Sequence, residues 1–245
     1  MKNGKWVYGF GDPEQTGADR FLAMDELKNS PGLKNVVICK INAFEKWVKP
    51  AKVANLKPLD VDMEVLMKFV LFLSNEPHLH VGHTFNESPE GSTLLNFLQE
   101  MHFSYVYFSC YEAKYNQLLE RQYSRRKPTR INVVKIESGK EFLEAELAAL
   151  RIRKCTIVKY LSPYVVDAIV ACFLEDPNRF GVDYEISCHF KLEKVQKILR
   201  EMKKTTRFIR EYADMNTGNE EFLVEGSNGK VLTISQYRGM LTLSI

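Results

Sequence analysis

Hydrophobic and polar positions follow two different periods along the chain. Six short runs rich in β-branched and aromatic residues are typical of strands. Five other segments have apolar residues three and four positions apart, as amphipathic helices do. The predicted strands are NVVICKI (35–41), HLHVG (78–82), FSYVYFSC (103–110), INVVKIE (131–137), ALRIRKCTIV (149–158) and FGVDYEIS (180–187), and the predicted helices cover residues 60–75, 88–101, 111–124, 162–176 and 191–204. This alternation predicts an α/β fold.

Two stretches resemble each other as units. LLNFLQEMHFSYVYFSC (94–110) and AIVACFLEDPNRFGVDYEISC (168–188) both have the pattern of a helix, a short turn with Phe, a strand and Ser-Cys. The strand centres lie roughly 20 to 45 residues apart, and most spacings are near the unit of a leucine-rich repeat. Short strand–helix–strand links favour parallel strands with right-handed crossovers. We therefore predict a leucine-rich-repeat-like solenoid with a curved, mostly parallel sheet and helices outside.

The carboxyl-terminal part has a different pattern. Residues 220–245 alternate as three strands, with Asn228-Gly229 and Arg238-Gly239 at the turns. Asn-Gly between such runs is typical of a tight hairpin, in which both turn positions have positive φ. We predict an antiparallel meander that caps the sheet. The chain then divides into residues 1–60 (a first repeat or degenerate cap), 61–213 (the repeats) and 214–245 (the meander cap).

One segment resembles a known family. YFSCYEAKYNQLLERQYSRRKPTRINVVKIESG (107–139) is similar to the F-box-associated, leucine-rich-repeat-like domains of the nematode FTH type, in which a strand precedes a helix of the form aromatic-x-x-Leu-Leu-x-x-Gln. The residues that fit this form are Tyr115, Leu118, Leu119 and Gln122. FLVEGSNGKVLTI (222–234) resembles the closing hairpin of the family, so the resemblance covers roughly residues 95–245. It implies the substrate-recognition part of a cullin-type ubiquitin ligase, with an adaptor and a substrate as partners, although the first 60 residues contain no clear F-box.

Composition and charge are those of an ordinary globular protein. Apolar residues make up 45% of the chain, and the formal net charge of +3 is too small to favour nucleic acid as a partner. The five cysteines (Cys39, Cys110, Cys155, Cys172 and Cys188) form no CxxC pair and lie in apolar runs. We interpret them as reduced core residues. With neither a signal peptide nor an apolar stretch of membrane-spanning length, we expect a soluble cytoplasmic or nuclear protein without a cofactor or membrane contact.

Side-chain alternation predicts a binding surface. If the apolar residues of each strand face the core, ten others project from the open face of the sheet. They are Lys40, His78, His80, Tyr105, Tyr107, Lys135, Arg151, Arg153, Asp183 and Glu185. In chain order the set is basic and aromatic before it becomes acidic. Because Tyr and Arg often dominate interface energetics, and solenoids bind on exposed sheets, we predict that a protein partner binds here.

The stretch NEPHLHVGHTFNE (75–87) supports an alternative function. It contains His78, His80 and His83, three of the five histidines. Two histidines at i and i+2 on a strand can share a metal ion, and a carboxylate would complete a metal-dependent hydrolase or nuclease. Glu87 lies seven residues after His80, and His102 or His189 would become a ligand only if folding brought it close. We prefer the interpretation as surface histidines.

Other patterns give weaker indications. Cys188 and His189 are strand neighbours that face opposite sides, so they cannot form a nucleophile–base pair, whereas Asp183 and Glu185 share a face and could hold a hard cation. SRRKPTR (124–130) is a basic cluster that could contact phosphate, RNA or an acidic partner. The chain contains no P-loop, HExxH or GxSxG motif. We therefore predict a non-enzymatic protein–protein interaction module without a catalytic or metal site.

Overall fold

The computed structural model divides the chain into two compact units, Met1–Phe103 and Ser104–Ile245. It describes residues 7–8, 10, 22–31, 33, 37–43, 57–58, 62–82, 89–124, 129–181, 184–190, 192–205, 209–213, 220–237 and 240–245. No helix in these ranges combines the length and the apolar character that a membrane crossing requires.

The first unit contains three helices and four strands within the described ranges. They are β1 (Val7–Tyr8), α1 (Met24–Lys28), β2 (Ile38–Ala43), β3 (Lys57–Pro58), α2 (Met63–Leu73), β4 (Ser74–Val81) and α3 (Pro89–Glu100). Strand β1 pairs antiparallel with β3, and β2 pairs parallel with β4. Helix α2 begins at Asp62, whose side chain accepts hydrogen bonds from the backbone N–H groups of Glu64 (2.7 Å) and Val65 (3.3 Å).

The second unit continues the alternation and then changes to antiparallel strands. Its elements are β5 (Tyr105–Phe108), α4 (Asn116–Tyr123), β6 (Arg130–Val133), α5 (Lys140–Ala148), β7 (Lys154–Tyr160), α6 (Tyr164–Glu175), β8 (Glu185–His189), α7 (Leu192–Thr205), β9 (Ile209–Ala213), β10 (Glu220–Glu225), β11 (Val231–Tyr237) and β12 (Met240–Ser244). Strands β5 to β8 are parallel neighbours in chain order. Strand β12 then lies beside β8, followed by β11, β10 and β9, all antiparallel. The predicted α/β fold with parallel strands and an antiparallel carboxyl-terminal meander is therefore confirmed.

One face of the second sheet carries its core. Every second side chain of the strands is almost completely excluded from solvent, as Val106, Phe108 and Ile131 show with exposures of 0%, 0% and 1%. Helical residues pack on this side, since the ring of Phe108 lies 5.4 Å from that of Tyr115 at the start of α4. We call this side the inner face and the opposite side the outer face.

All six predicted strands have different boundaries in the structure, and two of the differences move predicted site residues out of the sheet. The strand predicted over 149–158 begins only at Lys154, because Leu150 and Arg151 end helix α5 instead. Their N–H groups donate to the carbonyls of Leu147 and Glu146 at 3.0 Å each, and Leu150 adopts a φ of 58°. The strand predicted over 131–137 ends at Val133.

Three further elements differ from the prediction. Helix α5 was not predicted, because its buried side includes Glu144 and Glu146, which obscure the apolar period. Strand β9 was not predicted either. The hairpin between β10 and β11 does turn at Asn228-Gly229, but only Gly229 has a positive φ, so the predicted turn with two positive φ values is wrong. A longer turn closes the hairpin, with the N–H of Gly226 donating to the carbonyl of Lys230 at 2.8 Å.

Candidate functional site on the outer face of the second unit

Small polar side chains line up across the outer face of the second sheet. They lie side by side on β5, β6, β7, β8, β12 and β11, because each residue is the register partner of the corresponding residue on the neighbouring strand. All six are half-buried. We call this set the polar row: Tyr107, Asn132, Thr156, Ser187, Thr242 and Ser235. With strands roughly 4.8 Å apart, the row extends for about 24 Å.

The polar row can both donate and accept hydrogen bonds. The hydroxyl oxygens of Ser187 and Thr242 already lie 3.0 Å apart, within hydrogen-bonding distance. Asn132 Oδ1 is shielded from solvent and accepts no hydrogen bond from the residues that the structure describes. A buried carbonyl acceptor without a donor is costly, by about 1–3 kcal/mol. Because this oxygen is shielded from solvent, a ligand does not reach it in this conformation, so the groups that the row presents to a ligand are the hydroxyls of its other five members.

A second row of side chains runs beside the polar row, at the amino ends of the parallel strands. This charged row consists of Tyr105, Arg130, Lys154, Glu185 and Ser244. Arg130 Nη2 lies 3.7 Å from Glu185 Oε1, so the two charges largely neutralise each other. Both side chains are about half exposed, and such pairs contribute little to stability. Arg130 and Lys154 against Glu185 leave the charged row with a formal charge of +1, and in strand order the row is aromatic, then basic, then acidic.

Three predicted residues of this unit lie on the outer face, and three lie elsewhere. Tyr105, Tyr107 and Glu185 belong to the two rows. Lys135 follows the end of β6, where its ammonium group binds Glu137 at 2.5 Å. Arg151 and Arg153 precede β7, so the prediction that both are outward-facing strand residues is wrong. Asp183 is outside the described residues.

Arg151, which is exposed, binds the buried Glu146 on the helical side. Glu146 of α5 is 5% exposed and accepts from Arg151 Nη1 at 2.7 Å and from the hydroxyl of Tyr123. Burial first, and then the hydrogen bond to Glu146, raise the pKa of Tyr123 well above its usual value of 10.0. This geometry keeps a buried carboxylate satisfied and holds α4 against α5.

The predicted residues of the first unit lie on one face of its parallel strand pair. Lys40 is the register partner of His78, and both are exposed, while Leu79 and Val81 are fully buried on the opposite side, as alternation predicts. Burial, and secondly the charge of Lys40, lower the pKa of His80 from its ordinary value of 6.5. A lysine beside the histidines also repels a metal ion. His83 and Glu87 lie outside the described residues.

Among the described residues, one group of three side chains is close enough to share a cation, and it does not include the predicted histidines. Cys110, Glu112 and Glu137 place their ligand atoms within 4.8 Å of one another. Both carboxylates already have a lysine partner: Lys114 lies 3.4 Å from Glu112, and Lys135 lies 2.5 Å from Glu137. These ion pairs account for the arrangement without a metal ion.

Comparison with protein-family models, with curated proteins and with solved structures found no match in any of the three. The chemistry of the outer face must therefore be inferred from its own residues.

Sequence reasoning missed most of the polar row. Asn132, Thr156, Ser187, Thr242 and Ser235 are small and dispersed in the sequence, and only the strand register brings them side by side. The signal that could have identified them is the outward alternation already used for the tyrosines, applied to Ser, Thr and Asn as well.

Proposed function

We propose that the protein is a non-enzymatic binding module that holds a protein partner on the outer face of its second unit. The observation that carries the proposal is the continuous polar row across six strands, with Tyr107 at one end. Hydrogen-bonding side chains in a fixed register suit a partner that offers N–H and O–H groups. Tyrosine adds apolar contact area at a low entropic cost.

The size of the face indicates the strength of binding. Six strands that each contribute about four residues form a surface of roughly 29 by 13 Å. A stable interface buries about 800 Å² on each partner, which is more than this surface provides. We therefore propose a transient interaction with a partner that covers this limited surface.

The resemblance to F-box-associated domains suggests a biological setting. We propose that the second unit is a leucine-rich-repeat-like module and the substrate-recognition part of a cullin-type ubiquitin ligase in the cytoplasm or nucleus. Parallel strands that alternate with helices, followed by an antiparallel cap, support this setting. The ligase adaptor would then bind outside the polar row.

The test is an affinity capture that compares wild type with three variants, followed by a binding measurement with each purified partner. Thr156→Arg places a long charged side chain in the middle of the polar row, and Tyr107→Ala removes its aromatic end. Tyr164→Ala, at an exposed position of helix α6, is the matched control. We expect a partner that binds wild type and Tyr164→Ala with equal affinity and binds the two outer-face variants at least about tenfold more weakly.

Two results would contradict the proposal. One is a set of partners that bind all forms equally well. The other is stoichiometric metal in the purified protein together with hydrolytic activity that is lost in His78→Ala and His80→Ala, which would favour the metal-dependent alternative.

A further inference from the structure

A cavity of about 890 Å³ opens at the amino-terminal ends of β6 and β7. Its wall is formed by the carboxyl end of α4, the residues that follow α5, and Arg179, which precedes β8. The residues with polar or charged groups include Arg151, Arg153, Arg179, Glu120 and Tyr123. The volume is within the range of about 300–1,000 Å³ that small-molecule sites occupy.

Two of the three arginines have no carboxylate partner in the described part of the chain. Arg151 is fixed by Glu146 at 2.7 Å, so its charge is neutralised. Among the described residues, Arg179 makes one long contact, 4.0 Å from its Nη1 to Cys172 Sγ. Arg153 is held by its backbone, where its carbonyl accepts from the N–H of Glu185 at 2.8 Å, and its guanidinium group is exposed.

The carboxyl end of helix α5 does not explain the arginines. A helix carboxyl end carries a partial negative charge that cations stabilise, which would give the arginines a purely structural role. Helix α5 already satisfies its last carbonyls with backbone donors, since the N–H groups of Ala149, Leu150 and Arg151 donate to Ala145, Leu147 and Glu146 at 2.9, 3.0 and 3.0 Å. The arginine side chains are therefore not needed to cap it.

The local charge balance is positive. The three arginines contribute three positive charges, and Glu120 and Glu146 remove two, which leaves an excess of one. An acidic ligand is therefore favoured over a neutral or basic one.

We propose that this cavity binds a phosphoryl group, either on a phosphorylated residue of a protein or on a small phosphorylated metabolite. The planar guanidinium groups of Arg153 and Arg179 offer paired donors that match phosphate oxygens. Arg151, whose charge is neutralised by Glu146, adds N–H donors but no net charge. This site is independent of the polar row, so it stands or fails separately from the proposed function.

The first experiment is a titration of the whole chain with inorganic phosphate, followed by NMR of the arginine side chains. Sodium chloride at equal ionic strength corrects for screening. We expect saturable shifts, and about tenfold weaker binding in Arg153→Ala and in Arg179→Ala, because each removes charge-assisted hydrogen bonds. Lys194→Ala, which removes the same charge from an exposed position of helix α7, is expected to bind like wild type.

A second variant separates recognition from general charge and from misfolding. Arg153→Lys keeps the charge but loses the planar fork, so we expect affinity between that of wild type and that of Arg153→Ala. Wild-type chemical shifts outside the cavity would show that each variant is folded. Competition of bound phosphate by a phosphoserine peptide mixture, by its unphosphorylated counterpart and by adenosine monophosphate then identifies the source of the group.

Three results would overturn the proposal. The first is the absence of a saturable shift with phosphate. The second is an equal loss of affinity in Lys194→Ala, which would reflect overall charge. The third is tight binding of a short single-stranded RNA that does not depend on Arg153 or Arg179. The protein would then bind nucleic acid through its surface charge and not through a phosphoryl site in this cavity.

Discussion

Tyr123 stabilises the second unit through one hydrogen bond, because it donates to the buried carboxylate of Glu146. In Tyr123→Phe the ring stays and the donor is lost, which leaves a buried carboxylate oxygen less well satisfied. We expect the free energy of unfolding in urea to fall by about 1–2 kcal/mol. Tyr160→Phe, at a position that is 58% exposed, is the control and should change it by less than about 0.5 kcal/mol. If the free energy of unfolding falls equally in the two variants, the hydrogen bond from Tyr123 to Glu146 does not contribute specifically to stability.

His80 makes the stability of the first unit depend on pH. Burial, and then the charge of Lys40, hold the pKa of His80 below its ordinary value of 6.5. As the pH falls below 6.5, His80 is protonated in the unfolded chain before it is protonated in the folded chain. The free energy of unfolding therefore decreases as the pH falls below 6.5, and the contribution of His80 is fully present above that pH. Urea denaturation on both sides of pH 6.5 should show a flatter profile for His80→Asn than for wild type.

The control for His80 is a neighbouring histidine. His78→Asn makes the same substitution at an exposed position of the same strand. If both variants flatten the profile equally, the pH dependence does not belong to His80.

At the scale of elements, Gly139 determines how helix α5 begins. It has a φ of 79°, and a Cβ atom there would lie only 3.0 Å from Ala113 Cα. Gly229 has the same φ but open space around it. We expect Gly139→Ala to lower the free energy of unfolding by about 2–3 kcal/mol and Gly229→Ala by about 1 kcal/mol, since both are strained and only the first is crowded. If thermal or urea unfolding shows equal losses of stability in Gly139→Ala and Gly229→Ala, the close approach to Ala113 has no energetic cost.

Helix α5 also shows where sequence reasoning fails. Its buried side contains Glu144 and Glu146 beside Leu143 and Leu147, so the apolar period is interrupted by two acids. Glu144 Oε1 accepts a hydrogen bond from the backbone N–H of Ser162 at 2.6 Å. A pattern of apolar residues cannot reveal that a buried acid has partners from other elements. Conversely, the second half of β4 was predicted because Leu79 and Val81 alternate with the histidines, whereas the start of the strand at Ser74 fell within the predicted helix.

At the scale of the whole chain, the direction of the strands was predictable, whereas their register was not. Links with a single helix between strands favour parallel neighbours, and β5 to β8 are parallel. The polar row depends instead on which residue of one strand lies beside which residue of the next. Side-chain packing across the sheet fixes that register, and a shift by one residue would turn the whole row inward. The candidate site was therefore only partly visible in the sequence, through its tyrosines and Glu185.

Strand β12 connects the parallel and antiparallel halves of the second sheet. It lies between β8 and β11, so that Leu243 faces Ile186 on one side and Ile234 on the other. Leu243 is fully buried, and Leu243→Ala should lower the free energy of unfolding by about 2–5 kcal/mol. Leu223→Ala, on the half-buried outer side of β10, is the matched control and should change it by about 1 kcal/mol or less.

Amide hydrogen exchange tests whether β12 makes the two halves of the second unit one cooperative unit. If it does, Leu243→Ala should accelerate exchange at Ile131 in β6 and at Val224 in β10 by similar factors, because both amides open only when the whole unit unfolds. Faster exchange at Val224 with unchanged exchange at Ile131 would mean that the meander unfolds alone. In that case the parallel strands β5 to β8 would remain folded when the antiparallel strands unfold, and their part of the outer face would not depend on the meander for its stability.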